Sequence, residues 1–155
     1  FEFDRLKFEV LAIPGHTLGQ IAFYMPDDKA LFVGDTVFAM GCGRLFEGSA
    51  AQMWASLKRL SSLPGDTRIY FGHEYTERNA SFALTVDPTN AKIKTRLEKT
   101  LRVLQNGRPA QAPTLAEELE VNPFLKPARA AQALNMNGAD DLAVFAELRR
   151  RRDTW

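Results

Sequence analysis

Three stretches of this chain decide its fold: Val10-Leu-Ala-Ile-Pro-Gly-His16, Ala30-Leu-Phe-Val-Gly-Asp35 and Arg68-Ile-Tyr-Phe-Gly-His73. Each is an apolar run typical of a β-strand that ends at a glycine and is followed by a potential metal ligand. Both histidines of the 155-residue chain occur in this frame. Glycine permits a close backbone approach or a positive φ, so the next side chain can enter a crowded centre. Two imidazoles and a carboxylate at strand ends therefore predict a metal site assembled from distant segments.

Composition excludes several classes of function. A net charge of +1 produces no broad field that would favour nucleic acid or a membrane surface. No apolar run approaches the roughly 20 residues that a membrane span needs. The single Cys42 cannot form an intrachain disulfide, which predicts a reducing, cytoplasmic location. The chain opens at Phe1 without a methionine and already alternates like a strand, so we expect it to be the C-terminal piece of a longer protein.

The pattern of apolar residues predicts strands up to about residue 75. A turn is expected at 26–29, and a helix capped by Ser49 should present one broad apolar face made of Met53, Trp54, Leu57, Leu60 and Leu63. The predicted strands are Leu6–Ala12, Gln20–Met25, Ala30–Val33 and Arg68–Phe71.

From Thr76 onward the chain is predicted to be helical. Asn90 is an expected N-cap, Asn106-Gly107 an expected helix stop, and Thr114-Leu-Ala-Glu117 a capping box. A loop is expected over 106–113. The predicted helices are Glu77–Thr85, Asn90–Gln105, Thr114–Glu120, Ala128–Leu134 and Ala139–Arg152. We therefore place a boundary near residue 76, between a β-rich lobe (1–75) and an all-helical lobe (76–155).

Each ligand candidate taken alone also fits an ordinary structural role. A lone histidine is more often a hydrogen-bonded structural residue, and an aspartate before threonine often forms a local turn. The repeated glycine–ligand frame is what favours the metal site.

Longer motifs carry a family resemblance. Pro14-Gly-His-Thr17, Gly34-Asp-Thr-Val-Phe38, Gly41-Cys-Gly-Arg-Leu-Phe-Glu-Gly48 and Gly72-His-Glu-Tyr-Thr76 resemble motifs of the metallo-β-lactamase-fold hydrolases, specifically the glyoxalase II (hydroxyacylglutathione hydrolase) family. The likeness continues through Thr114-Leu-Ala-Glu-Glu-Leu119, Asn122-Pro-Phe-Leu125 and Leu148-Arg-Arg-Arg-Arg-Asp153, and so spans nearly the whole chain. It implies an α+β fold: the C-terminal half of an αββα sandwich (1–75), followed by an all-helical glutathione-binding lobe (76–155).

The resemblance also implies a centre of two divalent metals, usually zinc, with iron or manganese as alternatives. Matched by motif, His16 resembles a ligand of one metal, His73 a ligand of the other, and Asp35 the carboxylate that bridges both. Such a pair lowers the pKa of a shared water, and the resulting hydroxide attacks the thioester of S-D-lactoylglutathione. The family's His-x-His-x-Asp-His motif, which supplies the other four ligands, is absent. We expect it N-terminal to residue 1, in the missing half of the same protein, and we expect the 155-residue chain alone to be inactive.

Substrate contacts are implied for Arg44, Tyr75, Arg149 and Arg152. The two C-terminal arginines match basic positions that bind the glycine carboxylate of glutathione, and their i,i+3 spacing places them on one helix face. Basic residues at a helix C-terminus also favour the helix dipole without any ligand. Phe46 stands where some relatives have tyrosine, and Cys42, without a further histidine partner, is expected to be a packed loop residue.

Two other functions stay open at this point. One is a persulfide dioxygenase of the same superfamily with a single iron, against which the Asn-Pro-Phe-Leu run and the arginine-rich tail argue. The other is a non-catalytic glutathione-binding fragment, which the absent motif favours. Superfamily nucleases are a more distant alternative, because the chain has no strongly basic balance.

Overall fold

The computed structural model describes residues 2–3, 6–108 and 111–155, and its described part is an α+β fold, as predicted. The strands are β1 Glu2–Phe3, β2 Leu6–Lys7, β3 Glu9–Ala12, β4 Ile21–Met25, β5 Ala30–Gly34, β6 Val37–Phe38, β7 Gly41–Cys42 and β8 Arg68–Phe71. The helices are α1 Ala50–Ser61, α2 Thr76–Val86, α3 Ala91–Gln105, α4 Leu115–Val121 and α5 Asp141–Thr154, with a 3₁₀ turn at Pro127–Ala130. None of the described helices is long and apolar enough to span a bilayer. The division into lobes at residue 76 stays a prediction.

The main sheet has four strands in the order β3-β4-β5-β8. β4 is antiparallel to both of its neighbours, and β8 is parallel to β5. Strands β3, β5 and β8 therefore run in the same direction, and their carboxyl ends share one edge of the sheet. The ligand candidates follow these three strands, so the topology alone gathers them.

One face of this sheet is covered by α1. Met53, Trp54, Leu57 and Leu60 are buried there, as the apolar pattern predicts, whereas Leu63 lies beyond the helix end and is only partly buried. Ser49 caps the helix in a capping box with Gln52. The same core continues into the helical part, where the Trp54 ring stacks on Phe145 with centroids 5.8 Å apart.

The opposite face of the sheet carries a row of exposed apolar side chains. Val10 pairs with Phe23, Phe23 with Phe32, and Phe32 with Tyr70, so the row crosses all four strands. These four side chains are 40–50% exposed, and the Phe32 and Tyr70 rings stack at 4.8 Å. We call this row the open sheet face.

The strand prediction for Leu6–Ala12 is wrong at Phe8. β2 leaves the main sheet and pairs with β1, and only β3 pairs with β4. The short β6–β7 hairpin was not predicted, because two-residue strands have too little alternation to be recognised. Of the predicted segments, Phe1, Asp4 and Arg5 at the N-terminus and Pro109 and Ala110 in the loop lie outside the described residues.

The helix predicted over Ala128–Leu134 is also wrong. The chain forms a 3₁₀ turn at Pro127–Ala130 and then irregular turns, which end at Asn135 with a positive φ of 59°. The segment offers few apolar anchors, and Ala130 and Leu134 are its buried residues. Ala130 and Leu134 are one helical turn apart, and this single buried pair is too little to stabilise a full helix. The segment therefore forms a compact turn that packs against α5. The other predicted helices are confirmed with small shifts at their ends, including caps at Asn90 and Thr114.

Candidate metal centre and the adjoining basic cavity

Three ligand candidates converge on one oxygen atom. Nε2 of His16 lies 3.6 Å from Oδ2 of Asp35, and Nε2 of His73 lies 3.4 Å from the same oxygen. Both separations exceed an ordinary hydrogen bond. Two ligands on one tetrahedral zinc, each about 2.0–2.2 Å from the ion, are roughly 3.4 Å apart. Each histidine and the shared carboxylate therefore have the spacing of two ligands on one metal ion.

Glycines make room for this convergence. Gly34, immediately before Asp35, has φ of +53°, a backbone conformation that residues with a side chain rarely adopt. Gly72 packs against the carboxylate, and a Cβ there would lie closer than 3.0 Å to Asp35 Oδ1. A Cβ at Gly15 would likewise lie closer than 3.0 Å to the backbone of Met53, so the glycine–ligand frame has a direct steric basis at all three of its positions.

The orientation of the His16 ring is set by a backbone carbonyl. Nδ1 of His16 lies 2.9 Å from the carbonyl oxygen of Arg44. A carbonyl only accepts hydrogen bonds, so Nδ1 carries the proton and donates it. With Nδ1 engaged in this way, Nε2 is the nitrogen that faces Asp35 and could bind a metal.

The centre has few protein ligands. Within residues 2–3, 6–108 and 111–155, no three His, Cys, Asp or Glu side chains form a group that could hold one metal ion. Among these residues, His16 and His73 each approach one further ligand candidate, Asp35, whereas zinc in proteins normally takes three or four protein ligands. The donor chemistry fits a divalent metal, but the described residues supply only part of the ligands that such an ion needs.

A cavity of about 370 Å³ joins this centre to the predicted substrate residues. His16, Asp35 and His73 line one part of it. The four predicted substrate residues, Arg44, Tyr75, Arg149 and Arg152, line the same cavity. The structure therefore brings all seven predicted site residues together, although they lie as far apart in the sequence as residues 16 and 152.

Arg149 is almost completely buried and most of its donors are already engaged. Nη1 donates to the carbonyl oxygen of Cys42 at 2.8 Å, and Nη2 donates to Oδ1 of Asp153 at 3.0 Å. Nε has no hydrogen-bond partner among the described residues. Asp153 also approaches Nε of Arg44 at 3.6 Å, so one carboxylate serves both guanidiniums. Cys42 itself is buried, and burial raises the pKa of its thiol.

Arg152 has a different environment. Its Nη2 donates to Oδ1 of Asn79 at 3.2 Å, and its guanidinium lies over the rings of Phe82 and Trp155. Burial, followed by the nearby positive charges of Arg78, Arg149 and Arg44, lowers the pKa of Arg152 from its ordinary value. An anion in the cavity would relieve this concentration of positive charge.

Aromatic rings frame the His73 side of the cavity. Tyr75 stacks on the His73 ring with centroids 5.1 Å apart, and Phe38 meets Tyr75 edge-on at 5.2 Å. Across the cavity, the Phe46 ring lies 5.0 Å from His16 and is 70% exposed. Phe46 thus offers an apolar surface where a tyrosine would offer a hydroxyl.

The buried segment Phe38–Cys42 is held by side chains from the helices, at one backbone group in each residue. Asn122 donates to the carbonyl oxygens of Phe38 and Gly41, and Asn79 donates to that of Ala39. Arg149 donates to the carbonyl of Cys42, and the backbone N–H of Met40 donates to Oε2 of Glu118 at 2.8 Å. We call this the clamped segment.

Glu118 is the acidic member of this arrangement and is completely buried. Desolvation raises the pKa of its carboxyl from 4.5 to about 7, although bonds to Met40 and Asn122 oppose the shift. Sequence reasoning missed Glu118, Asn79 and Arg78 as site or support residues. Arg78 and Asn79 follow the Gly-His-Glu-Tyr motif by only a few residues, which was the one available signal.

Comparison with known proteins shows which families the two parts of the chain match. Residues 74–155 match the family model described as hydroxyacylglutathione hydrolase C-terminus, and residues 1–73 match that of the metallo-β-lactamase superfamily. A hydroxyacylglutathione hydrolase of Brucella ovis is 50% identical, and the match covers 100% of this chain and 61% of that protein. The chain thus spans about three fifths of the length of such curated relatives.

Solved structures agree on the fold. ETHE1 from Myxococcus xanthus matches with a TM-score of 0.56 and 25% identity, over 99% of this chain and 56% of its own. TTHA1623, solved in a di-iron-bound form, matches with a TM-score of 0.50 and 31% identity, over 76% of this chain and 42% of its own. With a family model covering its C-terminal 82 residues and its fold shared with metallo-β-lactamase-type proteins, the chain belongs to the hydroxyacylglutathione hydrolase family.

Proposed function

We propose that the intact protein hydrolyses the thioester S-D-lactoylglutathione to glutathione and D-lactate. The observation that carries this proposal is that one cavity contains both the His16–Asp35–His73 centre and a wall of arginines. A metal centre suits attack on a thioester carbonyl, and guanidiniums suit the carboxylates of a glutathione carrier. The names of the curated relatives support the same substrate class.

The proposed cofactors are two divalent metals, zinc in the first place, with iron or manganese as alternatives. His16 would hold one ion, His73 the other, and Asp35 both. When bound, the pair would polarise the thioester carbonyl and lower the pKa of water. The di-iron form of TTHA1623 supports a dinuclear site in this fold. The Arg44 carbonyl keeps the His16 ring in the metal-binding tautomer.

The remaining wall of the cavity would orient the substrate. Arg44, whose side chain is 55% exposed, and Tyr75, which stacks on His73, are placed to contact the peptide part of glutathione. Arg149 and Arg152 supply positive charge for a carboxylate at the far end of the cavity. The thiolate leaves readily, so the site needs no strong general acid.

The rest of the ligand set would come from a segment N-terminal to residue 1. The curated relatives extend well beyond the matched region, which leaves room for such a segment. The open sheet face is where we place it, because four large apolar side chains there are 40–50% exposed. The proposal locates the protein in the cytoplasm, since Cys42 forms no intrachain disulfide.

The test uses the full-length protein and the 155-residue chain side by side. Thiol release from S-D-lactoylglutathione is measured, with metal content determined on the same samples. We expect the full-length protein to hydrolyse the thioester, to lose activity on chelation and to regain it with added metal. We expect the 155-residue chain to be inactive. Asp35→Asn, which keeps shape but removes the charge, should lose metal and activity together.

Other outcomes would point to other functions. Oxygen consumption with glutathione persulfide and no thioester hydrolysis would contradict the proposal in favour of an iron dioxygenase. Glutathione binding by the full-length protein, with no turnover of either substrate at full metal loading, would indicate a binding module.

A further inference from the structure

The cavity contains more positive charge than its carboxylates balance. Four guanidiniums line it, those of Arg44, Arg78, Arg149 and Arg152. Arg44 and Arg149 share Asp153, at 3.6 and 3.0 Å. No carboxylate among the described residues lies within 4 Å of the guanidiniums of Arg78 or Arg152. Arg78 and Arg152 are therefore the cations of this cavity that lack an anionic partner.

The positions of these two residues relate them to each other. Arg78 lies in the first turn of α2, directly before Asn79, and Asn79 accepts the hydrogen bond from Arg152. Arg152 is buried and held by Asn79 and two aromatic rings, whereas Arg78 is exposed and makes no hydrogen bond or ion pair with a described residue. One cation of the pair is thus fixed, and the other is free to close on a ligand.

We propose that Arg78 is a specificity-determining residue that binds, together with Arg152, the glycine carboxylate of the glutathione carrier. This inference rests on the proposed function. A carboxylate has two oxygens, and two guanidiniums on different helices can each donate to it. Its negative charge would also offset the repulsion between Arg78 and Arg152. Arg149 contributes its positive charge to this part of the cavity, whereas its Nη1 and Nη2 already donate to Cys42 and Asp153.

The test measures ligand binding directly, so it does not depend on turnover. Calorimetry on the full-length protein compares S-methylglutathione with its glycine monoethyl ester, which lacks the carboxylate in question. Arg78→Gln should weaken binding of S-methylglutathione about fivefold, as expected for one partly exposed ion pair. The loss for the monoester should be smaller, and Arg78→Lys should recover part of the affinity for S-methylglutathione.

A matched control removes the same charge elsewhere. Arg102 is exposed on α3 and lies outside the cavity, so Arg102→Gln should leave both affinities unchanged. The proposal is overturned if Arg78→Gln lowers the affinity for both ligands by the same factor, if it leaves both affinities unchanged, or if its effect on them is the same as that of Arg102→Gln. Kinetics on S-D-lactoylglutathione separate the two proposals. Hydrolysis without an Arg78 effect on KM refutes this inference alone. Arg78-dependent binding without hydrolysis refutes the proposed function alone, and failure of the wild type to bind or hydrolyse refutes both.

Discussion

Glu118 provides a prediction about stability that depends on pH. Its carboxyl is completely buried, and Oε2 accepts from both Met40 and Asn122. Oε1 has no hydrogen-bond partner among the described residues, so it is the oxygen available to carry a proton. In the folded protein the pKa is raised from 4.5 to about 7. Replacing Glu118 by Gln keeps an acceptor for the Met40 N–H and removes the titration.

The sign follows from which state binds the proton. Between pH 4.5 and 7 the folded state keeps the proton of Glu118, whereas the unfolded state releases it. The stabilising contribution is therefore complete below pH 4.5 and is lost as the pH rises through 7. A shift of this size, at about 1.4 kcal/mol for each pKa unit, amounts to roughly 3 kcal/mol. The free energy of unfolding of the wild type should fall by up to that amount relative to Glu118→Gln.

The assay is urea unfolding of the full-length protein and its variants between pH 5 and 8.5. Trp54, which is buried on Phe145, serves as a fluorescence probe. The control is Glu117→Gln, one residue away, because the capping bond from Thr114 lowers the pKa of Glu117. Its contribution has the opposite sign and is lost only as the pH falls below 4.5, so Glu117→Gln, which retains Glu118, should keep the wild-type pH dependence between pH 5 and 8.5. A constant difference in unfolding free energy between wild type and Glu118→Gln across this range would refute the reasoning, as would loss of the wild-type pH dependence in Glu117→Gln.

Three further predictions concern the centre, the clamped segment and the open sheet face. In the full-length protein, Asp35→Ala should lose metal and reduce kcat/KM by at least about 100-fold, whereas Arg149→Ala should reduce kcat/KM by about tenfold. Near-normal metal content and turnover in the Asp35 variant would exclude a dinuclear centre. Asn122→Ala removes the hydrogen bonds donated to the Phe38 and Gly41 carbonyls and to Glu118, and it should lower the unfolding free energy by about 2 kcal/mol in urea titrations; an unchanged midpoint would count against the clamp. The 155-residue chain alone should self-associate in sedimentation velocity, and Phe32→Lys should reduce this; a monodisperse, cooperatively folding wild-type chain would contradict our view of the open sheet face.

The convergence of the three ligand candidates could be predicted because the information for it is local. Each ligand follows its own strand and glycine, so strand direction alone was enough to bring His16, Asp35 and His73 together. The basic cavity was only partly predictable. Arg149 and Arg152 were recognised by motif, but the sequence does not reveal that Asp153 is shared by Arg149 and Arg44. Such partners depend on distances across the fold.

The adjacent residues Glu117 and Glu118 differ in how far local sequence patterns predict their environment. The capping-box pattern correctly predicted Glu117 as the residue that completes the cap at Thr114. Glu118 has the same side chain and would be expected to be solvated, yet it is fully buried under the clamped segment. Whether a charged residue on a short helix faces water or a neighbouring backbone depends on packing between elements that are about 80 residues apart in sequence.

The clamped segment links the helical part to the candidate metal centre, although none of the three ligand candidates His16, Asp35 and His73 lies in a helix. Asp35 precedes this segment and Arg44 follows it, and both contact His16. The Asp35 carboxylate approaches Nε2 of His16, and the Arg44 carbonyl oxygen accepts from Nδ1. A shift of the residues between Asp35 and Arg44 would therefore displace the Asp35 carboxylate and change the orientation of the His16 ring. Met40 in this segment has φ of +55°, a conformation that costs a non-glycine residue roughly 1–2 kcal/mol, and its N–H is held by Glu118. Side chains from α2, α4 and α5 hold Phe38–Cys42 in place, so the helices act on the candidate centre through the segment that connects Asp35 to Arg44.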